Sequence, residues 1–210
     1  MDSFTFPFTT CEISSSNIVQ QPWSAAINAI TCIILIIFAY IDKRVSVKIV
    51  LSSYSLFEAW HTLSHVKHIP GNIQTNVVHV LGYVIGFATL FAILALSNTN
   101  LSTLGIIIIS IFVLIDLYVW VFVKGLWTVI TGLSIFAVIV LVNYSKLSPL
   151  FKAYMPFLLI GLFIIFLLFM NETYNCSRMM EHMVFPYHIA IEIVGLILFT
   201  TLAYLFSQWK

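Results

Sequence analysis

The segment 58-EAWHTLSHVKHIPGNIQTNVVH-79 sits inside a chain that is otherwise oily. It holds four of the six histidines and one of the eight acidic residues. The 210 residues are 61% hydrophobic and 8% charged, whereas soluble domains carry about 25% charged residues. A chain of this composition cannot keep its apolar surface from water, so it reads as an integral membrane protein. Imidazoles and a carboxylate inside such a chain need a physical reason, because ionisable groups in a bilayer are costly unless paired, coordinated or hydrated.

A hydrocarbon core of about 30 Å takes roughly 20 helical residues to cross. Measured outward from the quoted segment, the sequence divides into seven apolar stretches, at about 24–41, 46–68, 73–96, 102–123, 126–144, 153–170 and 184–206. The breaks carry helix-stopping or polar residues: Asp42-Lys43-Arg44, Pro70-Gly71, Ser97 to Asn100, Lys124-Gly125, Ser145 to Pro149, and Asn171 to Glu181. The expected fold is therefore all-α, a single seven-helix transmembrane bundle over 24–206. An extramembrane segment (1–23) precedes it and a short tail (207–210) follows. The first 23 residues lack a basic stretch followed by an apolar one, so no cleavable signal is expected. With net charge +1 and no basic block, nothing points to nucleic acid.

Loop lysines and arginines set orientation. With the N-terminus outside, the inner side holds Lys43, Arg44, Lys48, Lys146, Lys152 and Lys210, against Lys67, Lys124 and Arg178 outside. That balance of six to three predicts an outer or lumenal N-terminus and a cytoplasmic C-terminus. Asn171-Glu-Thr and Asn175-Cys-Ser are then glycosylation acceptors on an outer loop. Cys11 and Cys176 fall on the same side, as candidates for a disulfide or as two free thiols. Cys32, within the first segment, reads as a small buried side chain.

Within the second segment Glu58, His61, His65 and His68 are spaced to share one helix face. The third segment contributes His79, and the seventh His188 and Glu192 at i and i+4. Counted from the helix ends, His61, His79 and Glu192 lie roughly 9–13 Å into the bundle from one side, with His65 and His188 shallower and His68 near the mouth. Imidazole with carboxylate is a ligand set that zinc takes in catalytic sites, and bound zinc ionises water near neutral pH. The expected metal ligands are His61, His65, His79, His188 and Glu192, with His68 as a possible addition. Glu58 is a candidate to orient a ligand or to act as a base, and Ser64 a candidate oxyanion donor or a support for the neighbouring ligands. His182 and Glu181 are expected in solvent, and Asp116 is assigned no role beyond pairing with a tyrosine or lining the cavity.

Several short motifs resemble the seven-helix hydrolase superfamily of alkaline ceramidases and the progestin and adipoQ receptors. The segment 188-HIAIEIVGLILF-199 is similar to the ceramidase seventh helix, with Glu192 where that family has a second histidine. The segment 25-AAINAITCII-34 resembles its first helix around a buried Asn, here Asn28, and 10-TCE-12 resembles its N-terminal Cys-Glu. Either Ser64 with His68, or His61 with Thr62, can be laid on the family's second-helix histidine motif, and His79 then falls near its acidic position. The resemblance implies a zinc-dependent amidase acting on a membrane lipid, with a rearranged ligand set.

Two other classes stay open at this stage. The pair 61-HTLSH-65 with His68 suits a di-iron lipid hydroxylase or desaturase, although such sites usually gather about eight histidines. A receptor or transporter could use the same polar stripe as a structural metal site or a proton-handling network.

Overall fold

The computed structural model describes residues 21–67, 69, 71–124, 126–182 and 187–209. These residues form seven α-helices and no strand: α1 (Pro22–Ile41), α2 (Val45–Val66), α3 (Gly71–Ser97), α4 (Thr103–Tyr118), α5 (Leu126–Val142), α6 (Pro149–His182) and α7 (Tyr187–Ser207). A π-helical turn, Val119–Val123, prolongs α4, and a single 3-10 turn, Tyr144–Lys146, links α5 to α6. The all-helical fold read from the sequence is what the structure has.

Among the described residues five helices are long and apolar enough to cross a membrane: α1, α3, α4 with its π turn, α6 over Pro149–Asn171, and α7. The α5 helix is apolar but short, with Trp127–Val142 as its apolar part. The α2 helix has 22 residues, but its polar side chains dilute its hydropathy. Those side chains point inward, since Ser46, Ser53, Ser55, Glu58, Ser64 and His65 are all buried. An inward polar face marks α2 as the helix around which a site is built.

The expected break at 171–181 is helical instead. Residues 171–182 contain neither Pro nor Gly, so nothing interrupts the i to i−4 bonding until the approach to Pro186. At about 1.5 Å per residue the 34-residue α6 is about 50 Å long, well beyond a bilayer core.

Neighbouring helices pack in the order α6, α7, α1, α2, α3, α5, α4. Short connections alternate their directions, so the start of α1, end of α2, start of α3, end of α4 and start of α7 share one end. The opposite end is locked by Arg44. Its guanidinium donates to the carbonyls of Phe206 at 2.9 Å, Ser207 at 2.8 Å and Trp209, capping the last turn of α7. Asp42 holds Arg44 in place at 2.6 Å, and this hydrogen-bonded guanidinium keeps the Asp42 carboxyl below the usual carboxylate range. Trp209 is buried there against Phe151 and Phe206.

Glycines set the α3–α5 contact. A Cβ on Gly82 would lie 2.4 Å from the Gly132 carbonyl oxygen, and one on Gly132 would lie 2.7 Å from the His79 ring. Small residues of this kind let two membrane helices approach backbone to backbone. The obstacle at Gly82 is main chain, which cannot rotate away. Gly82→Ala is therefore expected to cost about 1–3 kcal/mol, the range for overpacking, as read from thermal unfolding in detergent. An unchanged melting curve would mean that α3 and α5 are further apart.

Candidate metal centre

The last turns of α2 and the first turns of α7 face each other at one end of the bundle. On α2, Glu58, His61 and His65 occupy one stripe, and on α7 His188 and Glu192 are one turn apart. Together His61, His65, His188 and Glu192 form a group that could hold a metal ion, each offering one donor atom, with all of these within 4.8 Å of one another. Glu192 Oε1 is the focus, 2.7 Å from His188 Nε2, 3.2 Å from His65 Nε2 and 3.6 Å from His61 Nε2. The rings lie tilted against one another, with centroids 4.8 Å apart for His61 and His65 and 5.1 Å apart for His65 and His188. His65, His188 and Glu192 are buried, while the His61 side chain keeps 21% of its surface exposed and opens the cluster outward.

These contacts are close in distance but not directed as hydrogen bonds. Neither Glu192 Oε1 nor His65 Nε2 has a hydrogen-bond partner, although both are buried. Buried polar atoms left in this way are costly. Donors around a tetrahedral zinc, each about 2.0 Å from it, lie about 3.3 Å apart, close to the spacings of the three imidazoles from Glu192 Oε1, and the group as a whole, within 4.8 Å, would draw in around an ion. The donor set of three imidazoles and one carboxylate therefore fits a divalent cation. The outer nitrogen of His65, Nδ1, is bonded to Gln21 Oε1, the kind of support that orients a metal-bound imidazole.

Glu58 lies one turn deeper on the α2 stripe, 3% exposed, with Oε2 lacking a hydrogen-bond partner. Below the cluster, Phe57 packs on both His61 and Phe199, and Tyr54 on Phe199 and Phe136. The floor of the site is thus aromatic and apolar.

Two expected members are elsewhere. Ser64 is buried, but its hydroxyl donates to the His61 carbonyl at 2.7 Å. A hydroxyl inside a helix finds an acceptor one turn back, and this bond ties Ser64 to the main chain of His61, beside the cluster rather than among its donors. His79 does not join the cluster, although its depth matches. Its ring is turned toward α4 and α5, where Nε2 lies 2.7 Å from Asp116 Oδ2 and Tyr83 OH donates to the same oxygen at 2.5 Å. Trp120 packs against His79 with centroids 4.8 Å apart and donates to Asn76 at 3.0 Å. Asp116, given no role by the sequence beyond a tyrosine partner, thus anchors a second buried network. A signal for it existed, since Asp116 lies eight residues before Lys124 and His79 eight after Gly71, at matching depths in consecutive helices.

Cys11 and His68 lie outside the described residues, as do the side chains of Asn175, Cys176, Glu181 and His182. Asn171 belongs to α6 rather than to the loop expected of a glycosylation acceptor. Asn28 is buried at 2% exposure, and the Cys32 thiol contacts the Ser55 hydroxyl at 3.2 Å. Compared with known proteins, the chain matches no family model, no curated protein and no solved structure.

Proposed function

We propose that this chain is a membrane-embedded, metal-dependent hydrolase that cleaves an amide or ester bond in a lipid. Zinc is the metal its donor set suits best. The observation that carries the reading is the convergence of three imidazoles and Glu192 beside a second buried carboxylate, Glu58, that has an atom to spare. In this reading all seven helices cross the bilayer with the N-terminus outside, so the cluster lies toward the outer face. A laterally diffusing lipid would present its polar linkage there. The sequence resemblance to alkaline ceramidases points the same way and makes the chain a divergent relative, with Glu192 in place of a histidine.

His61, His65, His188 and Glu192 would hold the metal. When bound, it supplies an activated water at neutral pH and polarises the carbonyl to be attacked. Glu58 accepts the proton that the attacking water gives up and returns it to the leaving group. Phe57 and Phe199 exclude bulk water and offer an apolar surface to an acyl chain.

One observation favours a second reading. Four protein donors already complete a tetrahedron, the usual arrangement of a structural metal, and a receptor built on such a site would need no base. The two readings part at Glu58. Glu58→Gln keeps size and hydrogen-bonding capacity but cannot take up the proton. With metal content unchanged, hydrolysis of N-acyl and O-acyl lipids in reconstituted vesicles is expected to fall by about 10²–10⁴-fold, the usual contribution of a general base. Equal turnover in both proteins would remove Glu58 from the mechanism. No turnover in wild type with zinc bound would favour the structural metal.

A further inference from the structure

We infer that Gln21 is the positioning residue of this centre, fixing the tautomer of His65 and so presenting its Nε2 lone pair to the metal. This rests on the metal-centre reading above. Gln21 lies at the very start of α1, in the stretch the sequence assigns to the extramembrane segment. Its side-chain Oε1 is bonded to His65 Nδ1. An amide oxygen only accepts, so Nδ1 carries the ring proton. With the ring neutral, the form in which imidazole binds a metal, that leaves Nε2 bare. That nitrogen is 3.2 Å from Glu192 Oε1, has no hydrogen-bond partner, and belongs to a ring with no exposed surface. Two lone pairs facing each other in a buried site repel, and a cation between them removes the conflict.

The backbone reinforces the side chain. Gln21 N–H donates to the His65 carbonyl at 3.0 Å, so one residue grips both the ring and the main chain of the ligand. That carbonyl belongs to the final turn of α2, where helix acceptors lack intrahelical partners. Pro22, at the first position of α1, restricts the backbone before it and sets where the Gln21 amide can reach. Such a grip is not general for buried imidazoles in this chain, since His79 Nδ1 is buried and has no hydrogen-bond partner.

The test uses full-length protein in detergent, with Zn²⁺ alone as the probe. Zinc affinity is measured by competition with a chelator for wild type, Gln21→Ala and Gln21→Glu. The ring tautomer of His65 is read by ¹⁵N NMR on metal-free protein. Gln21→Ala is expected to weaken zinc binding about 10–100-fold, the range for losing a group that orients a ligand, and to release the Nδ1–H tautomer. Gln21→Glu restores an acceptor and is expected to keep both affinity and tautomer. Unchanged affinity in Gln21→Ala, or an Nε2–H tautomer in wild type, would overturn the inference. If wild type binds no zinc, the metal reading fails instead, and the tautomer measurement still decides what Gln21 does.

Discussion

Asp116→Ala is expected to cost about 1–3 kcal/mol of stability for each group that it leaves without its partner in the bundle, and to leave metal content unchanged. Asp116 is fully buried, and its Oδ2 takes both the His79 ring nitrogen and the Tyr83 hydroxyl. Truncation strands both groups within the bundle. The loss also falls on α4, whose only other buried residues are Gly105 and Ile109. Replacing both partners together, as His79→Leu with Asp116→Leu, is expected to be milder, because only the Tyr83 hydroxyl is then left without its acceptor. Thermal or denaturant unfolding in micelles, beside a zinc assay, reads both quantities. A loss of zinc in Asp116→Ala at a temperature where it stays folded would mean that the two networks are coupled.

The second large effect falls on the other network. Glu192→Ala removes the oxygen on which three imidazoles converge. Its zinc affinity is expected to drop by more than about 100-fold, beyond what losing an outer supporting group costs. The consequence can be read as stability. Free zinc at about 1,000 times its Kd stabilises a folded protein by about 4 kcal/mol, so wild type should gain that much on adding zinc while Glu192→Ala should gain almost nothing. Equal gains in both proteins would place the metal elsewhere.

Much of this arrangement is legible in the sequence. The i, i+3, i+7 run of Glu58, His61 and His65 fixes a helix stripe whatever surrounds it, and His188 with Glu192 fixes a second. Punctuation between apolar stretches places the helix ends and brings those stripes to one end of the bundle. The assignment of His79 fails for a definite reason. Residue counting gives depth along a helix but not the direction a side chain takes around it. The direction of His79 is decided by the close approach of Gly82 to Gly132, which seats its ring against α5 and beside Asp116. Of the two roles open to Ser64, its bond to the His61 carbonyl matches the supporting one, because its own helix supplies an acceptor for the hydroxyl. Gln21 is invisible to helix periodicity, since it precedes the first helical residue and acts through a partner 44 positions away. The continuation of α6 past Asn171 was legible in the absence of Pro and Gly, but the run of polar residues there reads more readily as a loop.

The most direct test is the metal content of purified protein by elemental analysis, comparing wild type with Glu192→Ala. About one zinc per wild-type chain, absent from Glu192→Ala and retained in Asp116→Ala, is the expected result. A wild-type protein without metal after expression in zinc-replete medium would contradict the metal centre. So would zinc that survives the loss of Glu192, because the donors that converge on that carboxylate would then not be the ones that hold it.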